Sequence, residues 1–267
     1  MSKFLHRDDA PFAAAIWNKI DETVVQAAKS QLGARRLLAV EGPFGLGLKA
    51  LPGPDRPVSE ANGVRLQAPG LTPVAQLQAS FRLTARDLAA FEADGVTLDL
   101  GPAAHAALAL ARQEDELLFT GCKPLGLEGL ATAKGTLSHK LRSWDTVGTA
   151  AEDIIRAITG LDAAGFHGPF TLGLCPALFN QLFRQTPANG GTELQHLAQA
   201  VAAGIVKIPA LATGGVLLNA GAWVAAIVLG QDIQAGFVGP DAGEYHFTIS
   251  ESLALRLTVP KAICILK

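Results

Sequence analysis

The sequence predicts an α+β fold, and three observations carry that prediction. Apolar residues recur at helical spacing in Ala13 to Leu32, Leu100 to Phe119 and Thr149 to Gly165. A stretch rich in proline and glycine, from Gly42 to about Pro73, separates the first of these from the second. From Ile205 onward the pattern changes to short strands. Helices grouped ahead of strands, rather than alternating with them, mark an α+β chain. At 267 residues the chain can hold one sizeable core or two closely joined ones.

In Ala13 to Leu32 the residues Ile16, Ile20, Val24 and Ala27–Ala28 form one apolar stripe, with Asp21, Glu22 and Lys29 off it and Gly33 as the stop. Arg35 to Val40 reads as a short strand. Pro52, Pro54, Pro57, Pro69 and Pro73 then forbid a helix and leave only edge-type strands. So long a connection cannot bury much alone, which predicts a mobile segment or an arm lying on another subunit. The alternating run Leu77 to Leu83 reads as the second leg of a long hairpin. Leu100 to Phe119 is nearly all apolar at its start, and the acids Glu114, Asp115 and Glu116 read as an end reaching solvent or an interface. Further along, Thr149 to Gly165 is a helix, Phe170 to Leu174 a strand, Pro176 to Arg184 a helix opening on proline, and Thr192 to Gly204 a helix. Gln185 to Gly191 between the last two is a loop. The closing strands are Ile205–Ile208, Val216–Ala220, Trp223–Leu229, Tyr245–Ser250, Leu253–Val259 and Ala262–Leu266.

Composition narrows the function. Lys plus Arg number 22 against 24 Asp plus Glu, with pI about 6.3, so a generally nucleic-acid-binding surface is not expected. Charged residues are only 17%, against roughly 25% in ordinary soluble chains. Hydrophobic residues make up 49%, with a mean hydropathy of +0.28. Such a chain is expected to hide surface against copies of itself or a partner. Membrane burial fails on length: the most apolar stretch, Val216 to Gly230, is broken by Asn219 and falls short of about 20 residues. The N-terminal Met1 to Phe12 has acids after its bases and no apolar core, so no secretory signal is expected. Cys122, Cys175 and Cys264 are odd in number and far apart, which predicts reduced thiols in a cytosolic protein.

No catalytic constellation is visible. Gly42 to Lys49 lacks the Gly-Lys-Ser/Thr of a phosphate loop. The six histidines never stand at ligand spacing to one another or to cysteine, so no metal is expected. There is no Gly-x-Ser-x-Gly elbow and no nucleophile paired with a base.

Specific strings carry more. Phe4-Leu-His-Arg with Ala10-Pro11, then Ile20-Asp21 and Arg35-Arg36, form one block, and Val40-Glu-Gly-Pro-Phe-Gly45 a second. Glu114 to Phe119 with Gly121-Cys122, Gly168-Pro-Phe-Thr-Leu172, Leu229-Gly-Gln-Asp-Ile233 and Glu251-Ser252 complete the set. In this order the chain resembles an encapsulin, a family 1 (linocin or bacteriocin-like) shell protein of bacterial nanocompartments, over essentially its whole length. The resemblance implies a phage major-capsid-like (HK97-type) fold. It assigns residues 1–44, 78–137 and 224–267 to a peripheral domain containing the spine helix, 45–77 to an extended loop and 138–223 to an axial domain. It implies a cytoplasmic icosahedral homo-oligomer, of sixty copies or a larger multiple. The shell would enclose a cargo enzyme, such as a dye-decolorising peroxidase or ferritin-like protein, that carries a C-terminal targeting peptide.

By position in that family, Leu32, Arg35, Ile233 and Ile249 would line the groove for the cargo peptide. The apolar members suit hydrophobic anchors of an extended peptide, and arginine suits a carboxylate or carbonyl. Some relatives have an acid at the position of Ala39, so a cationic cargo contact is absent here. The segment Thr186, Pro187, Ala188, Asn189, Gly190 and Gly191 matches the loop that rings the five-fold pore. It is uncharged, which predicts a weakly selective passage for small solutes. Relatives that bind flavin use an aromatic residue in the segment aligned with Thr84 to Asp87; Arg86 stands here, so no cofactor is expected. Two other readings compete. A prophage capsid enclosing DNA is disfavoured by the lack of a basic luminal tail and a scaffolding extension, and a protease or bacteriocin-like enzyme by the lack of a nucleophile.

Overall fold

The computed structural model describes residues 3–186 and 190–267. In chain order its first elements are α1 (Ala14–Gln31), α2 (Ala34–Leu37), β1 (Ala39–Glu41), β2 (Ala50–Ala61), β3 (Val64–Pro73), β4 (Ala75–Thr84), α3 (Ala85–Asp94) and α4 (Gly101–Thr120). Then follow β5 (Gly121–Cys122), β6 (Leu127–Glu128), β7 (Leu137–His139), α5 (Thr149–Ala163), β8 (Phe170–Leu174), α6 (Pro176–Gln181) and α7 (Glu193–Ala200). The chain closes with β9 (Ile205–Lys207), β10 (Gly215–Asn219), β11 (Ala225–Asp241), β12 (Glu244–Leu257) and β13 (Ile263–Leu266). It divides into two compact units, and β11, β12 and α4 contribute residues to both.

The first unit comprises residues 1–32, 42–114 and 229–254. Its core is an α-helix stripe against an antiparallel pair. Ile16, Ile20 and Val24 recur every fourth residue on α1 and are buried with Phe81 and Leu83 of β4, Phe237 of β11 and Phe247 and Ile249 of β12. Strand β4 pairs antiparallel with β12 from Ala75↔Leu253 to Thr84↔Glu244, so Phe81 and Phe247 face each other in register. Their rings stack at 4.9 Å and 7°. From α4, Ala103, Ala106, Ala107 and Leu110 join this core, and the small side chains allow close helix approach. A half-buried arginine ties down the N-terminal segment: Arg7 donates to Asp21 and to the Ala235 carbonyl (2.8 Å) and lies 4.5 Å from the centre of the Trp17 ring.

Strands β2 and β3 form a two-stranded ribbon of their own, turning at Asn62-Gly63. Both turn residues have positive φ, 52° and 75°, as a two-residue hairpin turn of the primed kind requires. Prolines shift the register between Pro52 and Asp55 and between Pro57 and Ser59, a tolerable defect because neither strand must serve a second neighbour. The ribbon corrects the expectation that Leu77 to Leu83 forms the second leg. Both legs lie within the proline-rich stretch, and β4 belongs to the sheet with β12.

The second unit comprises residues 33–41, 115–228 and 255–267. A five-stranded sheet in the order β7-β13-β10-β8-β9 carries it. Strands β8, β10 and β13 are buried at every residue, as strands covered on both faces must be. One cluster joins this sheet to α5 through Ile154, Ala157 and Leu161 and includes the buried Trp144. A Cβ on Gly173 would stand 3.0 Å from Ile208 and 3.2 Å from Leu37, which places those two side chains directly over β8.

Several boundaries depart from expectation. Arg35 to Val40 is a helical turn followed by a strand, because Asp115 accepts hydrogen bonds from the Gly33 and Ala34 amides (2.8 and 2.9 Å) and so caps α2. The reading of the three acids at the end of α4 is corrected in part: Glu114 and Asp115 are buried, while Glu116 is exposed. Helix α3 was not expected. Thr84 accepts from the Asp87 amide and starts it, and Gly95 in the left-handed region stops it. The runs on either side of Glu251-Ser252 form one strand, because this polar interruption is buried rather than a turn.

Candidate functional site

In the first unit, the end of α1 turns at Leu32, whose amide donates to the Ala28 carbonyl at 3.1 Å. Leu32 forms a small cluster with Ala28 and with Ala111 of α4, against which the half-buried Ile233 of β11 packs. Leu32 and Ile233, chosen by position in the family, therefore share one apolar spot. Ala28 and Ala111 complete it and were missed, since alanine on a helix gives no signal of its own. Ile249 belongs instead to the aromatic core and is fully buried, while Ile233 packs at the edge of that core. Arg35 stands on α2 in the second unit, half-buried.

Polar side chains stiffen the strand that presents Ile233. The Ile233 amide donates to Asp232 Oδ1 at 2.8 Å. The Gln231 amide donates to Ser252 Oγ (2.8 Å), and Gln231 Nε2 donates to Ser250 O and Oγ (3.2 and 2.9 Å). Gln231, Ser250 and Ser252 are all buried there, and satisfied buried polar groups hold a strand in one arrangement. Thr84 to Asp87, the segment aligned with the flavin-binding position, is the N-terminal cap of α3.

In the second unit, the loop read as a pore element leaves the described residues at Pro187, Ala188 and Asn189. Its ends are described. Thr186 donates from its amide (2.8 Å) and its hydroxyl (2.9 Å) to the Gly191 carbonyl, and Gly190 has a φ of 67°. Behind them Arg184 donates to the buried Glu193 at 3.0 Å, and the other oxygen of Glu193 accepts from the Gly148 amide at 2.7 Å. Thr192 and Gln195 form a reciprocal capping box at the start of α7. The loop thus springs from a fixed base.

Among the described residues no group of His, Cys, Asp and Glu could hold a metal ion, and no helix is long and apolar enough to cross a membrane. Cys175 and Cys264 are buried free thiols, and burial pushes Cys264 up to about 11. It is therefore protonated at neutral pH.

A recess of about 360 Å³ in the first unit was not anticipated. It is lined by Phe4, Leu5, His6, Asp9, Phe237, Val238 and Thr248. The short N-terminal turns make it by lying on β11 and β12, where Gly236 leaves room for Leu5.

Comparison with known proteins agrees with this architecture. A family model described as an encapsulating protein for peroxidase matches residues 1–254. The chain is 32% identical to a type 1 encapsulin shell protein of Myxococcus xanthus, over 100% of this chain and 97% of that one. It is 30% identical to a type 1 encapsulin shell protein of Rhodococcus erythropolis, over 97% of each. Among solved structures, the virus-like particle of Pyrococcus furiosus superposes with a TM-score of 0.75 at 22% identity, covering 94% of this chain and 99% of that one. The capsid of Myoviridae phage XM1 gives 0.60 at 15% identity, covering 86% and 88%. The fold is that of phage major capsid proteins, and the chain belongs to the type 1 encapsulin shell-protein family.

Proposed function

We propose that copies of this chain close into an icosahedral shell, of sixty copies or a larger multiple, around a cargo enzyme in the cytoplasm. One observation carries the reading furthest. The β2–β3 ribbon spends 22 residues on strands with almost no buried side chains, and it exposes Val58, Val64, Leu66 and Leu71. An isolated two-stranded ribbon is marginal in water. Here it is the extended loop of residues 45–77, completed by a neighbour, with residues 138–223 as the axial domain and 1–44, 78–137 and 224–267 as the peripheral domain. Subunit contacts that close under symmetry remove exposed strand edges and apolar surface together.

In this reading the chain is structural and carries no chemistry of its own. Leu32 and Ile233 seat apolar anchors of a cargo C-terminal peptide, Ile249 backs the groove as part of the core beneath it, and Arg35 takes a carboxylate or carbonyl. The cargo is of the peroxidase or ferritin-like class, and the loop from Thr186 to Gly191 rings a pore for small solutes.

Negative-stain microscopy of the full chain is expected to show uniform hollow spheres, with an ultraviolet spectrum of protein rather than nucleic acid. A soluble, folded solitary protomer at physiological ionic strength overturns the reading, and a nucleic-acid spectrum selects the capsid alternative. The groove has its own test: Ile233→Asp is expected to lower loading of a fluorescent protein fused to the cargo tail by about tenfold, roughly 1.4 kcal/mol, in intact particles. Unchanged loading removes Ile233 from the groove.

A further inference from the structure

The ribbon reverses direction at Asn62-Gly63, between the paired Ala61 and Val64. Asparagine followed by glycine is the pair best suited to side-chain deamidation. The attacking group is the backbone nitrogen of the next residue, and glycine puts no Cβ in its way. Here both residues are exposed, and nothing lies within 4 Å of the point where a Cβ on Gly63 would stand. Among the described residues none makes a hydrogen bond to the Asn62 side chain or to the Gly63 amide. The amide that would react and the nitrogen that would attack it are both open to water.

The other described asparagines are held. Asn18 lies within α1 and Asn180 within α6, where the helix fixes the peptide that follows. Asn219 is locked on every side. Its Nδ2 donates to the His167 carbonyl at 2.8 Å, and its Oδ1 accepts from the Gly221 amide at 2.9 Å. The Ala220 nitrogen, which would have to attack it, donates to the Pro169 carbonyl at 2.9 Å. The chain has one other Asn-Gly pair, Asn189-Gly190, and Asn189 lies outside the described residues.

We propose that Asn62 is a modification site, converting to aspartate and isoaspartate with water as the only co-reactant. The Gly63 nitrogen attacks Asn62 Cγ; the N–Cγ bond forms, the Cγ–Nδ2 bond breaks, and ammonia leaves with the Gly63 amide proton. Water then opens the cyclic imide. Breaking the bond from Gly63 N to Cγ gives aspartate, and breaking the bond from Gly63 N to the Asn62 carbonyl carbon gives isoaspartate. Water enters and ammonia leaves, with no change of oxidation state. The attack needs the peptide between the two residues to rotate out of the turn. An isolated two-stranded ribbon is marginal in water, so its tip opens readily. Isoaspartate routes the main chain through a side-chain methylene, which a tight two-residue turn does not accommodate. Either product adds a negative charge next to the Glu60–Arg65 ion pair, so the modification loosens the register at the tip.

The experiment is peptide mapping of the full chain, incubated at mildly alkaline pH and sampled over time. Trypsin releases residues 50–65 as one peptide, because Arg56 precedes Pro57, and Asn62 is its only amide side chain. The expected result is a gain of about one mass unit in this peptide, as an amide becomes an acid, together with isoaspartate. Conversion should run at least about tenfold faster than in the peptides carrying Asn18, Asn180 and Asn219. Asn62→Gly keeps a turn of the same kind and should abolish the change. If peptide 50–65 keeps its amide in the chain while a synthetic peptide of the same sequence converts, the site is overturned. Conversion no faster than at Asn219 also overturns it. The peptide is read in the same way whether or not the chain is assembled, so failure of the shell reading leaves this test intact.

Discussion

Phe247→Ala is expected to destabilise the chain by ~3–5 kcal/mol, the range for deleting a large buried ring. Phe247 is completely buried and touches the aromatic core on every side. It stacks on Phe81, packs edge-on to Trp17 at 5.7 Å and Phe237 at 5.8 Å, and stacks with Phe12 at 5.8 Å. No neighbour can fill the gap without leaving its own place, because α1, β4 and β11 all contribute to the same cluster. Against a total of about 5–15 kcal/mol for a typical domain, such a loss leaves little margin. Tryptophan fluorescence during guanidinium denaturation, in a Trp144→Phe, Trp223→Phe background that leaves Trp17 as the reporter, is a suitable readout, with Phe247→Leu as the milder companion. A midpoint for Phe247→Ala within error of the parent chain would show that this cluster does not hold the first unit together.

The second large effect belongs to Asp153, and it depends on pH. Its carboxylate is buried at the start of α5. Burial by itself raises its pKa. The Arg142 amide at 3.0 Å, Trp144 Nε1 at 3.0 Å and Arg142 Nε at 2.8 Å outweigh that and hold it below the ordinary value of 3.8. His139 Nε2 faces the same carboxylate at 3.6 Å, and Glu152 shares the Arg142 guanidinium. A depressed carboxyl contributes stability that is present above its unfolded value and lost as the pH falls below it. Asp153→Asn is therefore expected to cost ~3 kcal/mol at about pH 7, by leaving buried donors without an ionised acceptor. The gap between parent and variant should narrow as the pH is lowered through about 4 and below. Urea midpoints measured across that range check both parts; a gap that is the same at both ends would assign the loss to packing instead of charge.

Much of the fold was legible wherever a segment carried its own periodic signal. The stripe on α1, the alanine-rich start of α4, the stripe on α5 and the apolar strands β8, β10 and β13 fall within a few residues of their expected places. Expectation failed where a distant residue decides the conformation. Nothing near Arg35 announces that Asp115, about eighty positions away, will cap a helical turn there. Glu251-Ser252 separates two expected strands until Gln231 is found to bond Ser250 and Ser252. The Asn62-Gly63 turn was readable in principle, but the five prolines around it left only edge-type strands, and the alternation of Leu77 to Leu83 drew the second leg to the wrong place.

The candidate groove was less legible still. Leu32 and Ile233 came from resemblance to a family, since two aliphatic residues two hundred positions apart have no pattern in common. The recess at Phe4 and Val238 left no trace in the sequence, because it is made by a short turn lying on a sheet that two remote strands complete.

The amino-acid order by itself determined α1, α4 and α5, the apolar strands, the shortage of charge and a proline-rich stretch that cannot be helical. These follow from local propensity and periodicity, which act between near neighbours. The tertiary structure alone decided which buried polar groups find partners, which apolar side chains stay exposed and where the concave surface lies. Those outcomes depend on desolvation and on packing between segments far apart in the chain, and such energies exist only once the segments have met.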